Sequence, residues 1–217
     1  MPTSYPDLAH FSDDPDDAWT LPGRYYYDEA VYADELEQIF YRNWQYVCHI
    51  SQLRTPGRYV VRDIGSQSVV VLRDTHGEIR GFHNVCQHRA HRLLEGEGQV
   101  RESITCPYHA WVYDLEGKLM GAPHTKELRA FDVTKCSLPR ISLADWGCYI
   151  CVNFDPDCPS LAHYLAEDGN RDFAAFLQPE NARLSHKFTV DVPCNWKFVP
   201  ENLMDMYHVG VIHGESF

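Results

Sequence analysis

The chain has 217 residues, a formal charge of −12 and a pI near 5.4. That length buries a real core and admits one or two domains, while the acidic balance argues against nucleic acid as a partner, because phosphate binding depends on a surplus of Lys and Arg. No apolar run is long enough to cross a bilayer, and Met1 to Thr20 lacks the basic start and apolar centre of a secretory signal, so the expected location is cytoplasmic, with no membrane partner.

Taken in order, residues 1–27 carry Asp, Pro and Tyr without a clear period and read as an extended arm. Asp28 is placed to cap a helix with Glu29 in its first turn, and Tyr32, Leu36, Ile39, Phe40 and Trp44 recur at helical spacing as a packing stripe. W-Q-Y-V-C-H-I then turns strand-like. R-Y-V-V-R-D-I, S-V-V-V-L-R-D and E-I-R-G-F-H follow as a meander, divided by turn residues at Ile64-Gly65-Ser66 and Asp74-Thr75-His76-Gly77. The chain passes through C-Q-H at Cys86, returns by S-I-T to C-P-Y-H at Cys106, and continues in A-W-V-Y-D and K-L-M on either side of Asp114–Gly117. Trp146 to Phe154 reads as one strand. On such a strand Cys148 and Cys151 would face opposite ways and share no metal. D-P-D-C-P-S is a plausible linker, followed by short helices over 161–166 and 172–177 and a strand over 184–192; no internal repeat is evident. The expected fold class is α+β, with an antiparallel β domain over 45–155 preceded by an arm and helix over 1–44 and followed by a further segment over 156–217.

Two stretches carry chemistry. In the first, Cys86 pairs with His88 and Cys106 with His109, each pair short enough for one tight loop, and two facing loops make a metal site. A 2Fe-2S centre with two thiolates on one iron and two imidazoles on the other needs this division; the neutral ligands raise its potential. A structural zinc is the competing reading, but zinc sites usually keep two Cys in one pair and two His in the other, whereas each pair here is mixed. Without a secretory signal the eight cysteines should stay reduced, and Cys48, Cys136, Cys148, Cys151, Cys158 and Cys194 are expected as small buried hydrophobes.

The second stretch is N-W-K-F-V-P-E-N-L-M-D-M-Y-H-V-G-V-I-H, in which Glu201, Asp205 and His208 share one face of a helix. His213 lies five residues past His208, a rotation of about 500 degrees that points it roughly 140 degrees away. The helix must therefore bend or end between them, with Gly210 supplying the freedom. Two imidazoles brought together this way, with one carboxylate from elsewhere, are the facial triad of a non-haem Fe(II) site.

Both stretches, in this order and with H-N-V before the first Cys pair and A-W after the second, resemble the α (terminal oxygenase) subunits of Rieske non-haem iron, ring-hydroxylating oxygenases. The resemblance implies a Rieske domain followed by the start of an α+β, helix-grip-like catalytic domain, truncated at Phe217. Cys86, His88, Cys106 and His109 would hold the 2Fe-2S cluster, and His208 and His213 the mononuclear Fe(II). The third iron ligand would come later than Phe217. Asp205 matches the carboxylate that bridges His208 to a cluster histidine of the neighbouring subunit, here His109, across a homotrimer. Electrons would come from NAD(P)H through a reductase or ferredoxin, with O2 and a small aromatic or quaternary-ammonium molecule as substrates. Ala110 stands where many members have Gly. Asn195, Trp196 and Lys197 match the family's N-W-K, and His83, His91 and Tyr108 are expected to support the cluster ligands. The rival readings are a Rieske ferredoxin-like electron carrier and, more distantly, a zinc-binding module.

Overall fold

The computed structural model describes residues 16–125, 127–166 and 176–215, together with Leu8, Ser12 and Asp14. Within them the chain combines short helices with antiparallel sheets and divides into two compact units, Glu37–His186 and a second made of Met1–Leu36 with Lys187–Phe217.

The first unit carries three sheets. β2 (Arg58–Ile64) and β3 (Gln67–Arg73) pair from Tyr59 with Leu72 to Ile64 with Gln67, flanked by β4 (Ile79–His83) and β5 (Glu97–Gln99) in the order β4-β3-β2-β5. β1 (Gln45–His49) pairs with β10 (Tyr149–Asn153), which pairs with β9 (Ser142–Trp146); β6 (Ser103–Thr105), β7 (Val112–Asp114) and β8 (Leu119–Gly121) form the third sheet. The unbroken V-V-V-L of β3 is explained by two cores, one on each face of its sheet. Val69 and Val71 enter one cluster with Val47, Val60 and Ile150; Val70 and Leu72 enter the other with Val61, Phe82, Ile104 and Tyr113. Side chains alternate across a strand, so a sheet buried on both faces reads as continuous hydrophobicity. The second cluster also contains Cys86, Cys106 and Trp111. The two candidate metal loops are thus seated on a packed core.

Turn chemistry repeats in this unit although the sequence has no obvious repeat. At Asp74 and again at Asp114, the carboxylate accepts the N–H groups two and four residues on, and a glycine follows at φ +88° (Gly77) or +87° (Gly117). Gly117 cannot carry a side chain for a second reason, since an added Cβ would lie 2.5 Å from the Phe82 ring.

Three expectations need correction. Trp146–Phe154 is not one strand but the β9–β10 hairpin, turning at Gly147 and Cys148, where Gly147 has φ +59°. Cys148 therefore sits in the turn, and both it and Cys151 are buried. Leu184–Val192 forms no strand, because among the described residues no neighbour supplies a ladder to it. The helix capped by Asp28, whose carboxylate accepts the Ala30 N–H at 2.9 Å, is α2 (Glu29–Glu35); it gives way to a π-helical turn at Leu36–Phe40 and does not bury its aromatic stripe. Tyr32 and Ile39 are exposed and Val31 is the buried residue instead. α3 (Leu161–Ala166) forms as expected, while most of the helix expected over 172–177 falls outside the described residues.

In the second unit, α1 (Arg24–Tyr27) and α2 meet the segment that carries α4 (Phe198–Met204) and α5 (Val209–Ile212). Lys197 is buried and pairs with Glu35 at 2.5 Å, and the Trp196 indole N–H donates to the same carboxylate at 2.8 Å. Asn195 binds the Tyr26 carbonyl and accepts the Lys197 N–H. Among the described residues no helix is long and apolar enough to cross a membrane.

Candidate metal centres

The two cysteine loops are near copies of each other. Cys86 N–H bonds the His91 carbonyl and Cys106 N–H the Trp111 carbonyl, both at 2.8 Å; Ala90 N–H and Ala110 N–H return to the Cys86 and Cys106 carbonyls at 2.9 and 3.0 Å. Each loop closes through an alanine with positive φ, 53° at Ala90 and 56° at Ala110. A Cβ is strained in that region, which explains why glycine is at home there; Ala110 adopts it all the same.

These loops bring like donors together. The Cys86 and Cys106 thiols are both buried and belong to one core cluster. The His88 and His109 rings meet at 4.6 Å and 73°, nearer the solvent edge. Among the described residues no three His, Cys, Asp or Glu side chains converge on a single ion position. A 2Fe-2S cluster of this kind takes two donors per iron, sulfur at one end and nitrogen at the other. The donor set fits the binuclear group.

Electrostatics agree. Burial pushes the Cys86 thiol up, and hydrogen bonds from Tyr113 and the backbone oppose it only in part, so this thiol would need nearby positive charge to ionise. Desolvation and the neighbouring His88, Arg89 and His91 push His109 down, favouring the neutral imidazole that binds metal.

The surrounding side chains divide into those foreseen and those missed. Tyr108 leans on the His109 ring at 3.8 Å, and His91 lies 5.5 Å from Tyr108 with Nδ1 at 2.6 Å from the Arg92 carbonyl. His83 instead packs edge-on against Phe154 at 5.8 Å. The unforeseen residues are Trp111, stacked within 9° of parallel on His88 at 4.9 Å, and Tyr113, whose hydroxyl lies 3.3 Å from Cys86 Sγ and accepts the Gln87 N–H at 3.0 Å. Both belong to A-W-V-Y-D. Their spacing of two was the available signal, since it points both rings to the same face.

The second stretch breaks earlier than expected. α4 ends at Asp205, not near Gly210, because the Asp205 carboxylate takes the Tyr207 N–H at 2.8 Å and so offers the backbone an alternative to another helical turn. Gly210 lies inside α5. His208 and His213 flank that single turn, and their rings stand 5.5 Å apart at 72°. Asp205 Oδ2 bonds His208 Nδ1 at 3.0 Å, which leaves Nε2 of that ring for another partner. The Tyr207 N–H and His208 hold the Asp205 carboxyl below its ordinary range. Glu201 accepts the Tyr26 hydroxyl at 2.8 Å and so braces α4.

Comparison with known proteins adds the following. The Rieske 2Fe-2S domain matches residues 43–132, and the ring hydroxylating alpha subunit catalytic domain matches residues 179–217. The carnitine monooxygenase oxygenase subunit of Escherichia coli (strain K12) is 36% identical over 204 residues, covering 94% of this chain and 54% of that protein. The chloroplastic choline monooxygenase of Beta vulgaris is 34% identical over 219 residues, covering 98% and 49%. The crystal structure of the quaternary ammonium Rieske monooxygenase CntA with L-carnitine superposes with a TM-score of 0.85 at 32% identity, over 93% of this chain and 57% of that one. The chain spans about half the length of the curated relatives it matches.

Proposed function

We infer that this chain, which belongs to the Rieske non-haem iron oxygenase α-subunit family, forms the electron-receiving part of a terminal oxygenase and part of its iron site. Residues 45–155 are the Rieske domain in this reading, and 156–217 the beginning of the catalytic domain. Cys86, His88, Cys106 and His109 would hold the 2Fe-2S cluster, and His208 and His213 the mononuclear iron. When bound, the cluster supplies single electrons and the mononuclear iron a site for O2 chemistry.

The chain's own residues supply orientation. The paired loops keep the thiols buried and the imidazoles at the edge. Asp205 fixes the His208 tautomer by accepting from Nδ1, so that Nε2 points away from the carboxylate. As an ionised carboxylate Asp205 has lone pairs left after the Tyr207 and His208 bonds, and a cluster imidazole of a neighbouring subunit can use one of them. Electrons from NAD(P)H through a reductase, and a homotrimer that brings His109 to Asp205, complete the proposal. Carnitine and choline monooxygenases among the relatives support a quaternary-ammonium substrate over an aromatic one.

The observation that carries this reading is the pairing of the two loops, which seat both cysteines in one buried cluster and set the two imidazoles against each other. Iron and acid-labile sulfide per polypeptide, measured on anaerobically purified protein, test it. About three irons to two sulfides is the expected result. About two to two would leave an electron carrier with a Rieske centre, and no sulfide would remove the reading altogether.

A further inference from the structure

Beside the β1–β10–β9 sheet and α3 lies a groove of about 290 Å³ that none of the candidate metal ligands lines. Its walls are Trp44, Tyr46, Trp146, Tyr149 and Tyr164, with Cys151 beneath them. The rings do not stack flat. Tyr46 stands at 82° to Tyr149 at 5.6 Å, and Trp146 at 47° to Tyr149 at 5.7 Å, so the three rings form one contiguous aromatic wall. The Trp44 N–H donates to the Pro159 carbonyl at 3.0 Å, which fixes that indole.

We propose that this groove is an aromatic cage that binds a small quaternary ammonium ion, separately from the iron site. Ring faces carry the negative part of an aromatic quadrupole and attract a cation within about 6 Å. The lining contains no Lys, Arg, Asp or Glu, so a primary ammonium or a metal ion would lose water without finding a carboxylate in return. A quaternary ammonium needs none, because its charge lies under methyl groups that pack on rings. A groove for an ordinary apolar partner would be as well lined by aliphatic side chains; here five of the eight lining residues are aromatic and two are leucine. The net charge of −12 favours a cation over an anion. The inference rests on the aromatic lining, so it stands whichever substrate the iron site takes.

The test compares choline with 3,3-dimethylbutan-1-ol, its neutral isostere, at matched ionic strength, following the tryptophan fluorescence to which Trp44 and Trp146 contribute. Choline is expected to saturate with a Kd on the order of a millimolar, and the isostere to bind at least about tenfold more weakly. Tyr46 is 53% exposed, so its replacement should leave folding intact. Tyr46→Leu should weaken choline about fivefold, whereas Tyr46→Phe, which keeps the ring, should hold it within about twofold. Equal binding of the isostere, absence of saturation, or no response to Tyr46→Leu would each overturn the cage. Iron and sulfide content is measured on the same samples. A failed cage therefore leaves the metal reading untouched, and a failed metal site leaves the cage testable.

Discussion

Tyr113 is fully buried, and its hydroxyl lies between the Gln87 N–H, which it accepts, and Cys86 Sγ, to which its own proton is free to point. Burial, reinforced by Cys86, pushes its pKa far up, so it remains a donor at any working pH. A donor to a ligating sulfur is worth more once the cluster has gained an electron, because the sulfur then carries more negative charge. Tyr113→Phe should therefore lower the cluster's potential. A differential hydrogen bond of about 1 kcal/mol corresponds to roughly 40 mV for one electron. A redox titration followed by visible absorbance measures this, and an unchanged or raised potential would count against the bond. The candidate ligands stand out in the sequence because few residue types can bind iron and their spacing is short. Tyr113 was not, because a tyrosine in a strand looks the same whether it fills space or touches a sulfur.

Elements were legible where one period dominated. β2 and β3 follow from their runs of branched residues, and Asp28 caps its helix as its position suggests. The misreadings fall where local chemistry competes with the period: Gly147 splits a nine-residue apolar run into a hairpin, and Asp205 ends a helix that the i, i+4, i+7 pattern would continue. Asp74 shows how much a turn can hold. Burial pushes its carboxyl up, but the Arg80 guanidinium at 2.9 Å and the Glu78 and His76 N–H groups outweigh that and set it below its ordinary value. A depressed carboxyl contributes stability that is complete above its unfolded pKa and is lost as pH falls through the folded one. Asp74→Asn should cost roughly 2 kcal/mol at pH 7 and flatten the loss of stability below about pH 4, as urea unfolding across pH would report. Lys197 and Glu35 pose the complementary case, an ion pair with side chains only 10% and 12% exposed. Glu35→Gln leaves a buried ammonium uncompensated and should cost on the order of 3 kcal/mol, while Glu35→Gln combined with Lys197→Met should recover at least half. Simple additivity in the urea midpoints would show that the pair is not coupled.

For the molecule as a whole, the residues around Asp205 bear on assembly. Its side chain is 51% exposed, and Leu203, Met204, Met206 and Tyr207 beside it are 73%, 81%, 68% and 92% exposed. A run of large apolar side chains in water is what an interface covers. Here it surrounds a carboxylate that already orients His208 and can accept one more donor. This pairing of an apolar border with an open acceptor is what the proposed relay needs, since a neighbouring imidazole can bond Asp205 strongly only where contact has excluded water. The sequence held both parts, but nothing in a single chain's periodicity says which apolar residues a second copy will cover. Sedimentation velocity should therefore show a species of about three times the 25.1 kDa chain. Leu203→Lys with Met206→Glu should shift it toward the monomer, because charge on that border must be desolvated for contact to form. The cluster loops belong to the other compact unit, so the sulfide content of this variant should not change. If the unmodified chain stays monomeric at tens of micromolar, the route from His109 to Asp205 has no interface to cross, and the coupling of the two centres would have to be sought within one subunit.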